Sequence, residues 1–217
     1  MNRFRDFGYE VSRNHTRTAW VLKCDIRKFF ANIDHKILKN ILAESIGNEG
    51  TLRLLAQVIG SFSSNGNLGV GLPLGNLTSQ LLVNVYMNKF DHFIKRELKV
   101  RFYIRYADDF VLLSADRLEL EIIQRKIVNF LTWELKLSLH PDKVCIKAFA
   151  SGIDFLGWVH FSDRRVIRTT TKRRMYRKMV THRKDGTYQS YSGLLRHGNS
   201  KKVARELMKL AEYVDEN

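Results

Sequence analysis

Two adjacent carboxylates at the tip of a predicted β-hairpin constrain this chain more than any other feature. Asp108 and Asp109 lie between residues 101–105 and 110–113, which are rich in β-branched, aromatic and aliphatic side chains and predict two strands. Neighbouring carboxylates repel each other, and partly buried ones are costly unless a cation compensates them. A hard divalent cation would do so, whereas a solvated Asp-rich turn is the simpler alternative.

A third acid, Asp25, favours a divalent cation over a solvated turn. Residues 20–26 predict a strand that carries Asp25 near its end. A strand with one Asp beside a hairpin with two would gather three carboxylates around one or two Mg²⁺ ions. Two such ions about 4 Å apart can hold the attacking and leaving oxygens of an in-line phosphoryl displacement. That is the chemistry of nucleotide polymerisation, in which a 3′-hydroxyl attacks the α-phosphate of a nucleoside triphosphate.

The net charge points to the same class of partner. The 217 residues carry a formal charge of +15, which implies an anionic polymer such as a phosphodiester backbone. No stretch approaches the ~18 consecutive apolar residues of a membrane span, and the N-terminus lacks the apolar region of a signal peptide. We therefore expect a cytoplasmic protein without a membrane partner. Cys24 and Cys145 stand alone and are expected to be buried, reduced thiols, and the seven His show no zinc spacing.

The chain predicts an α+β fold in which antiparallel strands alternate with helices. Helices are predicted at 35–46, with Asp34 as N-cap, and at 52–62, 76–98 and 117–137. A loop is predicted at 63–71 and strands at 144–149 and 153–159. Residues 1–16 are weakly patterned, and residues 160–217 predict basic helices. The apolar face predicted for the 76–98 helix comprises Leu77, Leu81, Leu82, Val85, Phe90, Ile94 and Leu98.

Four motifs then resemble a known family. They are Asp25-Ile-x-x-Phe-Phe30, Gly71-Leu-Pro-Leu-Gly75-Asn-Leu-Thr-Ser79-Gln80, Tyr106-Ala-Asp-Asp109 and Phe155-Leu-Gly-Trp158. Their order and spacing are similar to those of the palm motifs of reverse transcriptases, over residues 18–158. The resemblance implies a palm with an antiparallel sheet and packed helices at 18–160. It also implies a basic helical thumb at 161–217 and a remnant of fingers or linker at 1–17.

The resemblance also implies roles for individual residues. Asp25, Asp108 and Asp109 would be catalytic and, with the carbonyl of Ile26, would ligate two Mg²⁺ ions. The nucleotide-binding residues would be Phe30, Leu74, Gly75, Gln80 and Lys143. The primer–template would meet Tyr106, Phe155, Leu156, Gly157, Trp158, Arg164, Arg173, Arg174, Arg177 and Lys178. Structural alternatives stay open: a core aromatic for Phe30, ordinary packing for Leu74, a solvated Lys143, and a core strand with a bulge glycine for residues 155–158.

The second motif suggests a subgroup. Most reverse transcriptases carry a Gln before Gly75 and Ser-Pro four residues after it, whereas this chain has Leu74 and Ser79-Gln80. That pattern resembles the error-prone enzymes of diversity-generating retroelements. The resemblance implies template RNA, a cDNA primer and dNTPs as partners, with a small basic accessory protein. A group II intron or retron reverse transcriptase, and an inactive nucleic-acid-binding remnant, are the alternatives.

Two further observations concern the ends of the chain. Residues 164–184 contain ten Lys or Arg and no acid, as expected for a surface that grips phosphates, although a solvated face is the alternative. Only 24 residues precede Asp25, and none resembles the fingers hairpin of the family. We therefore expect an incomplete fingers region, which puts the activity of this chain alone in doubt.

Overall fold

A computed structural model describes residues 2–62, 68–181 and 186–215. The chain forms two compact units: residues 19–147, called the sheet unit below, and residues 1–18 with 148–217, called the terminal unit. The predicted loop at 63–71 and the predicted basic run to Lys184 lie partly outside the described residues. The predicted boundaries at 17 and 160 rest on family motifs rather than on compactness, and stay predictions.

The sheet unit is organised around a four-stranded sheet with the order β2-β3-β1-β4. The strands are β1 (Trp20–Asp25), β2 (Tyr103–Tyr106), β3 (Asp109–Ser114) and β4 (Cys145–Ala148). β1 and β3 are antiparallel, and their pairing begins at Trp20 opposite Ser114 and ends at Asp25 opposite Asp109. Most residues of β1 and β3 are buried. The predicted hairpin and the predicted strand beside it are therefore confirmed.

Helices cover this sheet and build most of the core. They are α2 (His35–Ser45), α3 (Glu49–Gly60), α4 (Leu77–His92), which continues as a π-helix over Phe93–Glu97, and α5 (Arg117–Glu134). Asp34 caps α2 as predicted, because its Oδ1 accepts a hydrogen bond from the N–H of Ile37 at 3.0 Å. Caps of this kind satisfy N–H groups that the helix itself leaves unpaired.

The apolar face predicted for the 76–98 helix is confirmed at Leu82, Phe90 and Ile94, which are buried, and is wrong at Leu77 and Leu81. Leu77 and Leu81 are 82% and 65% exposed, because the centre of the buried stripe lies nearer to Val83, Tyr86 and Met87. The buried residues of α4 are Ser79, Leu82, Val83, Tyr86, Met87 and Phe90. They recur at the three- and four-residue spacing of one helix face, and the hydroxyl of Tyr86 donates to the carbonyl of Leu135 at 2.7 Å.

The terminal unit combines a three-stranded sheet with helices. Its strands are β5 (Ile153–Phe155), β6 (Trp158–His160) and β7 (Arg165–Ile167), in that order, and its helices are α1 (Asn2–Val11), α6 (Thr169–Thr181), α7 (Gly186–Leu195) and α8 (Lys201–Asp215). Trp158, Met175 and Leu207 are among its buried core residues. The helices that the structure describes after residue 160 confirm the predicted helical tail.

The structure corrects two predictions for this unit and its border, and it assigns a helix to residues for which no element was predicted. The predicted single strand 153–159 is two strands, because Leu156 and Gly157 adopt φ values of +52° and +81° and reverse the chain. The weakly patterned N-terminus is helix α1, whose Phe4 is buried against aromatic rings that follow much later in the sequence. Cys24 is buried as predicted, but Cys145 is partly exposed. No helix among the described residues is both long and apolar enough to cross a membrane.

Candidate active site

Three carboxylates converge at one end of the sheet unit. Asp25 ends β1 and Asp109 begins β3, and the two are directly opposite in the antiparallel register. Directly opposite residues project from the same face of a sheet. The N–H of Ile26 donates to the carbonyl of Asp108 at 3.1 Å, which ties the hairpin tip to the end of β1. The structure therefore brings together the three acids that were singled out from the sequence.

The hairpin turn is short and its backbone is strained. Tyr106 pairs with Asp109, so only Ala107 and Asp108 form the turn. Ala107 has φ +53°, a left-handed conformation that is uncommon for residues other than glycine but is required in two-residue hairpin turns. Tyr106 is 67% exposed beside this turn, so its ring is available to a partner.

An ion pair beneath the turn was missed by the sequence analysis. Nε and Nη2 of Arg105 donate to the two carboxylate oxygens of Asp91 at 2.8 and 2.6 Å. Nη1 of Arg105 donates to the carbonyl of Ala107 at 3.1 Å and to Oδ1 of Asn84 at 3.2 Å. The hydroxyl of Tyr103 adds a third bond to Asp91 at 2.7 Å. This network joins α4 to the strained turn, and the one signal for it in the sequence is an arginine directly before Tyr106.

Burial and neighbouring negative charge favour the protonated forms of Asp108 and Asp109. Burial raises the pKa of Asp108 above its usual range, and the nearby charge of Asp25 adds to this, while Lys143 opposes it. Burial likewise raises the pKa of Asp109, and the charges of Asp25 and Asp108 add to it, while Lys23 opposes it. Among the described residues, the buried Oδ1 of Asp109 has no hydrogen-bond partner, and Nζ of Lys23 lies 3.9 Å from it.

Lys143 is placed against Asp25 by a local turn. The N–H of His140 donates to the carbonyl of Asp25 at 2.8 Å, which extends the sheet beyond β1. Pro141–Lys143 then form one 3-10 turn, in which Nδ1 of His140 accepts from the N–H of Asp142 at 3.2 Å. Nζ of Lys143 lies 3.1 and 3.2 Å from the two carboxylate oxygens of Asp25, although half of this side chain is exposed.

The donor set fits a hard cation. The part of the chain that the structure describes contains no group of three or more His, Cys, Asp or Glu close enough to form a ready metal cluster, and the amine of Lys143 contacts both oxygens of Asp25. The three acids supply oxygen ligands, which Mg²⁺ prefers. The unpartnered Oδ1 of Asp109 and the mutual repulsion of the acids are what a divalent cation would relieve. Ile26 is buried beside them, and its N–H is already bonded to Asp108.

The segment around the second motif is hydrogen-bonded to the first. The N–H of Leu72 donates to the carbonyl of Phe30 at 2.8 Å, and the partly buried ring of Phe30 packs edge-on against Phe29. The imidazole of His35 is buried, and its Nε2 donates to the carbonyl of Gly71 at 2.6 Å. This role of His35 could not be predicted from the sequence, because a lone His at a helix start belongs to no motif.

Leu74, Gly75 and Gln80 form an exposed edge beyond this connection. Leu74 is 78% exposed, which contradicts ordinary core packing for its side chain. Gly75 has φ +90°, and a Cβ there would meet no atom within 4 Å. The glycine therefore serves the backbone conformation. Gln80 is exposed one helical turn along α4, and the side-chain amide of Asn84 donates to its carbonyl at 2.9 Å.

The predicted primer–template residues lie in the terminal unit, apart from Tyr106. Phe155 and Trp158 are buried in its core, while Leu156 and Gly157 form the partly exposed turn between them. Thr171, Met175 and Met179 face the core from α6. The opposite face of α6 carries the exposed residues Arg173, Arg174, Arg177 and Lys178, none of which forms an ion pair with another described residue. Arg164 is exposed and pairs with Asp163 at 2.8 Å.

Comparison with known proteins agrees with this arrangement. Residues 3–160 match the family described as reverse transcriptase (RNA-dependent DNA polymerase). Protein YkfC of Escherichia coli is 28% identical over 182 residues, which cover 65% of this chain and 47% of that protein. The putative COX1/OXI3 intron 2 protein of Saccharomyces cerevisiae is 24% identical over 199 residues, which cover 64% of this chain and 23% of that protein. The matched region thus spans less than half the length of both relatives.

Solved structures share the fold. The telomerase of Candida albicans, in complex with a TWJ fragment of telomeric RNA, superposes with a TM-score of 0.61 at 13% identity, over 99% of this chain and 43% of that one. The corresponding complex from Candida tropicalis gives a TM-score of 0.62 at 11% identity, over 97% of this chain and 40% of that one. These likenesses confirm the predicted α+β polymerase fold.

Proposed function

The chain belongs to the reverse transcriptase family, and we propose that it carries the palm of an RNA-directed DNA polymerase, which copies template RNA into cDNA from dNTPs. The observation that carries this proposal is the pairing of Asp25 with Asp109 across two strands, with Asp108 at the adjoining tip. Like charges directly opposite each other destabilise a sheet. An arrangement that costs stability and fits a cation supports a catalytic purpose.

Asp25, Asp108 and Asp109, with the carbonyl of Ile26, would hold two Mg²⁺ ions. When bound, such ions supply charge stabilisation for the attacking and leaving oxygens of an in-line displacement. The amine of Lys143 holds Asp25 in position before the substrates bind. Because half of its side chain is exposed, it is free to turn toward the leaving pyrophosphate. Arg105 fixes the turn that presents Asp108, through its bond to the carbonyl of Ala107.

The remaining predicted residues would bind the two substrates. Phe30 and the exposed edge of Leu74, Gly75 and Gln80 would face the incoming nucleotide. Tyr106 and the turn at Leu156 and Gly157 would meet the primer–template, with Phe155 and Trp158 supporting that turn from the core. Arg164 and the basic face of α6, formed by Arg173, Arg174, Arg177 and Lys178, would contact phosphates in a way that is independent of base sequence.

Asp108→Asn tests the proposal directly. It keeps the size of the side chain and removes the charge that a cation needs, so extension of a DNA primer on an RNA template should fall by at least about a hundredfold, or about 2.7 kcal/mol of transition-state stabilisation. A binding readout accompanies it: paramagnetic broadening by Mn²⁺ of signals near the hairpin tip should also be lost. The matched control is Asp142→Asn, which removes an exposed acid next to Lys143. Undiminished extension by Asp108→Asn would refute the assignment.

We further propose that the enzyme is error-prone, as in a diversity-generating retroelement served by a small basic accessory protein. The exposure of Leu74 supports this, because an apolar side chain at a nucleotide-facing edge cannot form a hydrogen bond that would favour one base-pair geometry. Leu74→Gln should lower misincorporation opposite template adenines by more than at other bases. Sequencing of cDNA made by both forms on one adenine-rich RNA measures this, and equal adenine error rates would remove the support.

An intron-encoded reverse transcriptase is the second candidate. One specific observation favours it, namely the similarity to a yeast protein named for an intron. The two candidates differ in fidelity, so the adenine error rate of the unaltered enzyme separates them. A rate equal to that at other template bases favours the intron enzyme.

A further inference from the structure

A group of buried nitrogen atoms without hydrogen-bond partners in the described part of the chain lies in the terminal unit. Among the described residues, five buried side-chain nitrogen or oxygen atoms have no hydrogen-bond partner. One is the Oδ1 of Asp109 described above, and the other four are nitrogens of the terminal unit. They are Arg5 Nε, Trp158 Nε1, His160 Nδ1 and Arg165 Nη1. An unsatisfied buried polar group lowers stability, and native proteins keep few of them, so a cluster of four needs a physical explanation.

These nitrogens are brought together by the small sheet and α1. His160 is directly opposite Arg165 in the pairing of β6 with β7, so both side chains project from one face. The guanidinium carbon of Arg165 lies 5.5 Å from the ring centre of Trp158. The ring of Phe4, which precedes Arg5 in α1, lies 5.0 Å from the ring of His160.

Arg165 has no counterion within the described chain. It is 8% exposed, and its guanidinium forms no hydrogen bond or ion pair with any described residue. Nη2 of Arg5 donates only to the main-chain carbonyl of Asp163, at 3.4 Å. The carboxylate of Asp163 is turned to Arg164, at 2.8 and 3.1 Å, and therefore does not supply the missing negative charge.

The electrostatics of His160 agree with this geometry. Burial, together with the positive charges of Arg165 and Arg5, lowers the pKa of His160 to about 4, although the bond from Nε2 to the carbonyl of Phe155 acts in the opposite direction. Burial and the charge of Arg5 also lower the pKa of Arg165. The cluster is thus a set of mutually repelling cations and a neutral imidazole, and buried charge of one sign is costly until an opposite charge joins it.

We propose that Arg5, His160 and Arg165 form a binding site for a phosphate-type oxyanion. Guanidinium groups match the oxygens of phosphate in a fixed fork geometry. A bound anion would favour the imidazolium form of His160, whose Nδ1 would then donate to it. The same chemistry is offered by inorganic phosphate and by a phosphodiester of a nucleic acid. The site does not depend on the polymerase function, and it includes neither the three acids nor the exposed residues of α6.

The test uses the full chain, with inorganic phosphate and a short DNA–RNA duplex as separate probes at constant ionic strength. Phosphate should raise the melting temperature, with a rise that grows with the logarithm of its concentration. It should also raise the pKa of His160, followed by NMR of the imidazole. Arg165→Gln should weaken phosphate binding by about tenfold or more, since hydrogen bonds between a guanidinium and a phosphate are charge-assisted. Arg205→Gln, an equal loss of charge at an exposed residue of α8, should leave binding unchanged.

Without any anion, Arg165→Gln should be as stable as the unaltered protein or more so, because it removes an unpaired buried charge. If only the duplex moves the His160 signals, the site binds nucleic-acid phosphate and the proposal stands. The proposal is overturned if neither probe moves the His160 signals of the unaltered protein, so this test does not depend on any variant. It is also overturned if both substitutions weaken binding equally, or if Arg165→Gln is equally destabilised with and without phosphate, since Arg165 would then only support the fold.

Discussion

The sheet unit holds an acidic cluster, formed by Asp25, Asp108 and Asp109, and the terminal unit holds a basic cluster, formed by Arg5, His160 and Arg165. The two clusters have opposite charges, but neither is fully balanced by described residues of the other sign. Asp25, Asp108 and Asp109 crowd negative charge at the end of two strands, and Lys23 and Lys143 offset it only in part. The basic cluster crowds positive charge at the end of two other strands, and no described carboxylate offsets it. In both places a buried polar atom has no hydrogen-bond partner among the described residues.

The pair between Arg105 and Asp91 shows what a completed arrangement looks like. Its two parallel hydrogen bonds, of 2.8 and 2.6 Å, satisfy both carboxylate oxygens, and Tyr103 adds a third bond. That pair needs no ligand, and its function is to hold the strained turn in place. The comparison of this pair with the two clusters shows how buried charges can be interpreted. A buried charge with a complete set of partners supports the fold, whereas a buried charge that lacks partners indicates a site for a missing ion.

The largest expected effect follows from breaking the completed pair. Arg105→Met removes a side chain that is 9% exposed and leaves the partly buried Asp91 without its partner. Removing one member of a buried pair typically costs about 3–5 kcal/mol, and we expect a loss toward the lower limit because Asp91 is 31% exposed. Urea unfolding measures this loss, and primer extension should decrease by more than the loss of folded protein explains.

Arg53→Met is the matched control. Arg53 pairs with Glu49 at 3.1 Å, but both side chains are at least 80% exposed, and such a pair contributes about 0.3–0.5 kcal/mol. If Arg105→Met and Arg53→Met lowered the free energy of unfolding equally, the distinction between a buried ion pair that supports the fold and a solvated ion pair would be wrong.

A smaller effect is expected from the exposed face of α6. Replacement of Arg173, Arg174, Arg177 and Lys178 by Gln should reduce the slope of log affinity against log salt by up to about 0.9 for each phosphate that is no longer neutralised. The fold should be retained, because these side chains do not face the core. Binding to a primer–template at several salt concentrations measures the slope.

Its control removes four equivalent charges from the sheet unit, at the exposed residues Lys36, Lys39, Arg125 and Lys126. If both sets lower the slope equally, net charge alone accounts for binding and α6 has no special part in it.

The elements that could be predicted from the sequence are those specified by local patterns. The hairpin, the Asp34 cap and the helical tail follow from alternation, capping and periodicity. The three acids were found because each belongs to a short motif. The apolar face of α4 was predicted wrongly at Leu77 and Leu81, because a sequence pattern does not reveal which side of a helix the sheet will cover.

Contacts between distant residues could not be predicted. Arg5 and Arg165 are members of one cluster although 159 other residues separate them in the chain. Asp91 supports the turn at Ala107 through Arg105, and no motif links the three. Leu156 forms its turn at positive φ although it is not a glycine. The strand-like residues on both sides gave no indication of a turn at this position.

The central claim is that the acidic cluster binds a divalent cation. The most direct test of it is also the smallest expected effect, a change in the stability of one variant. Asp109→Asn removes one of two like charges that are directly opposite across β1 and β3. At neutral pH without divalent cations, it should therefore be more stable than the unaltered protein, by up to about 1 kcal/mol. Mg²⁺ should raise the melting temperature of the unaltered protein and should stabilise Asp109→Asn much less. A variant that is less stable without Mg²⁺, and as strongly stabilised by it, would contradict the account.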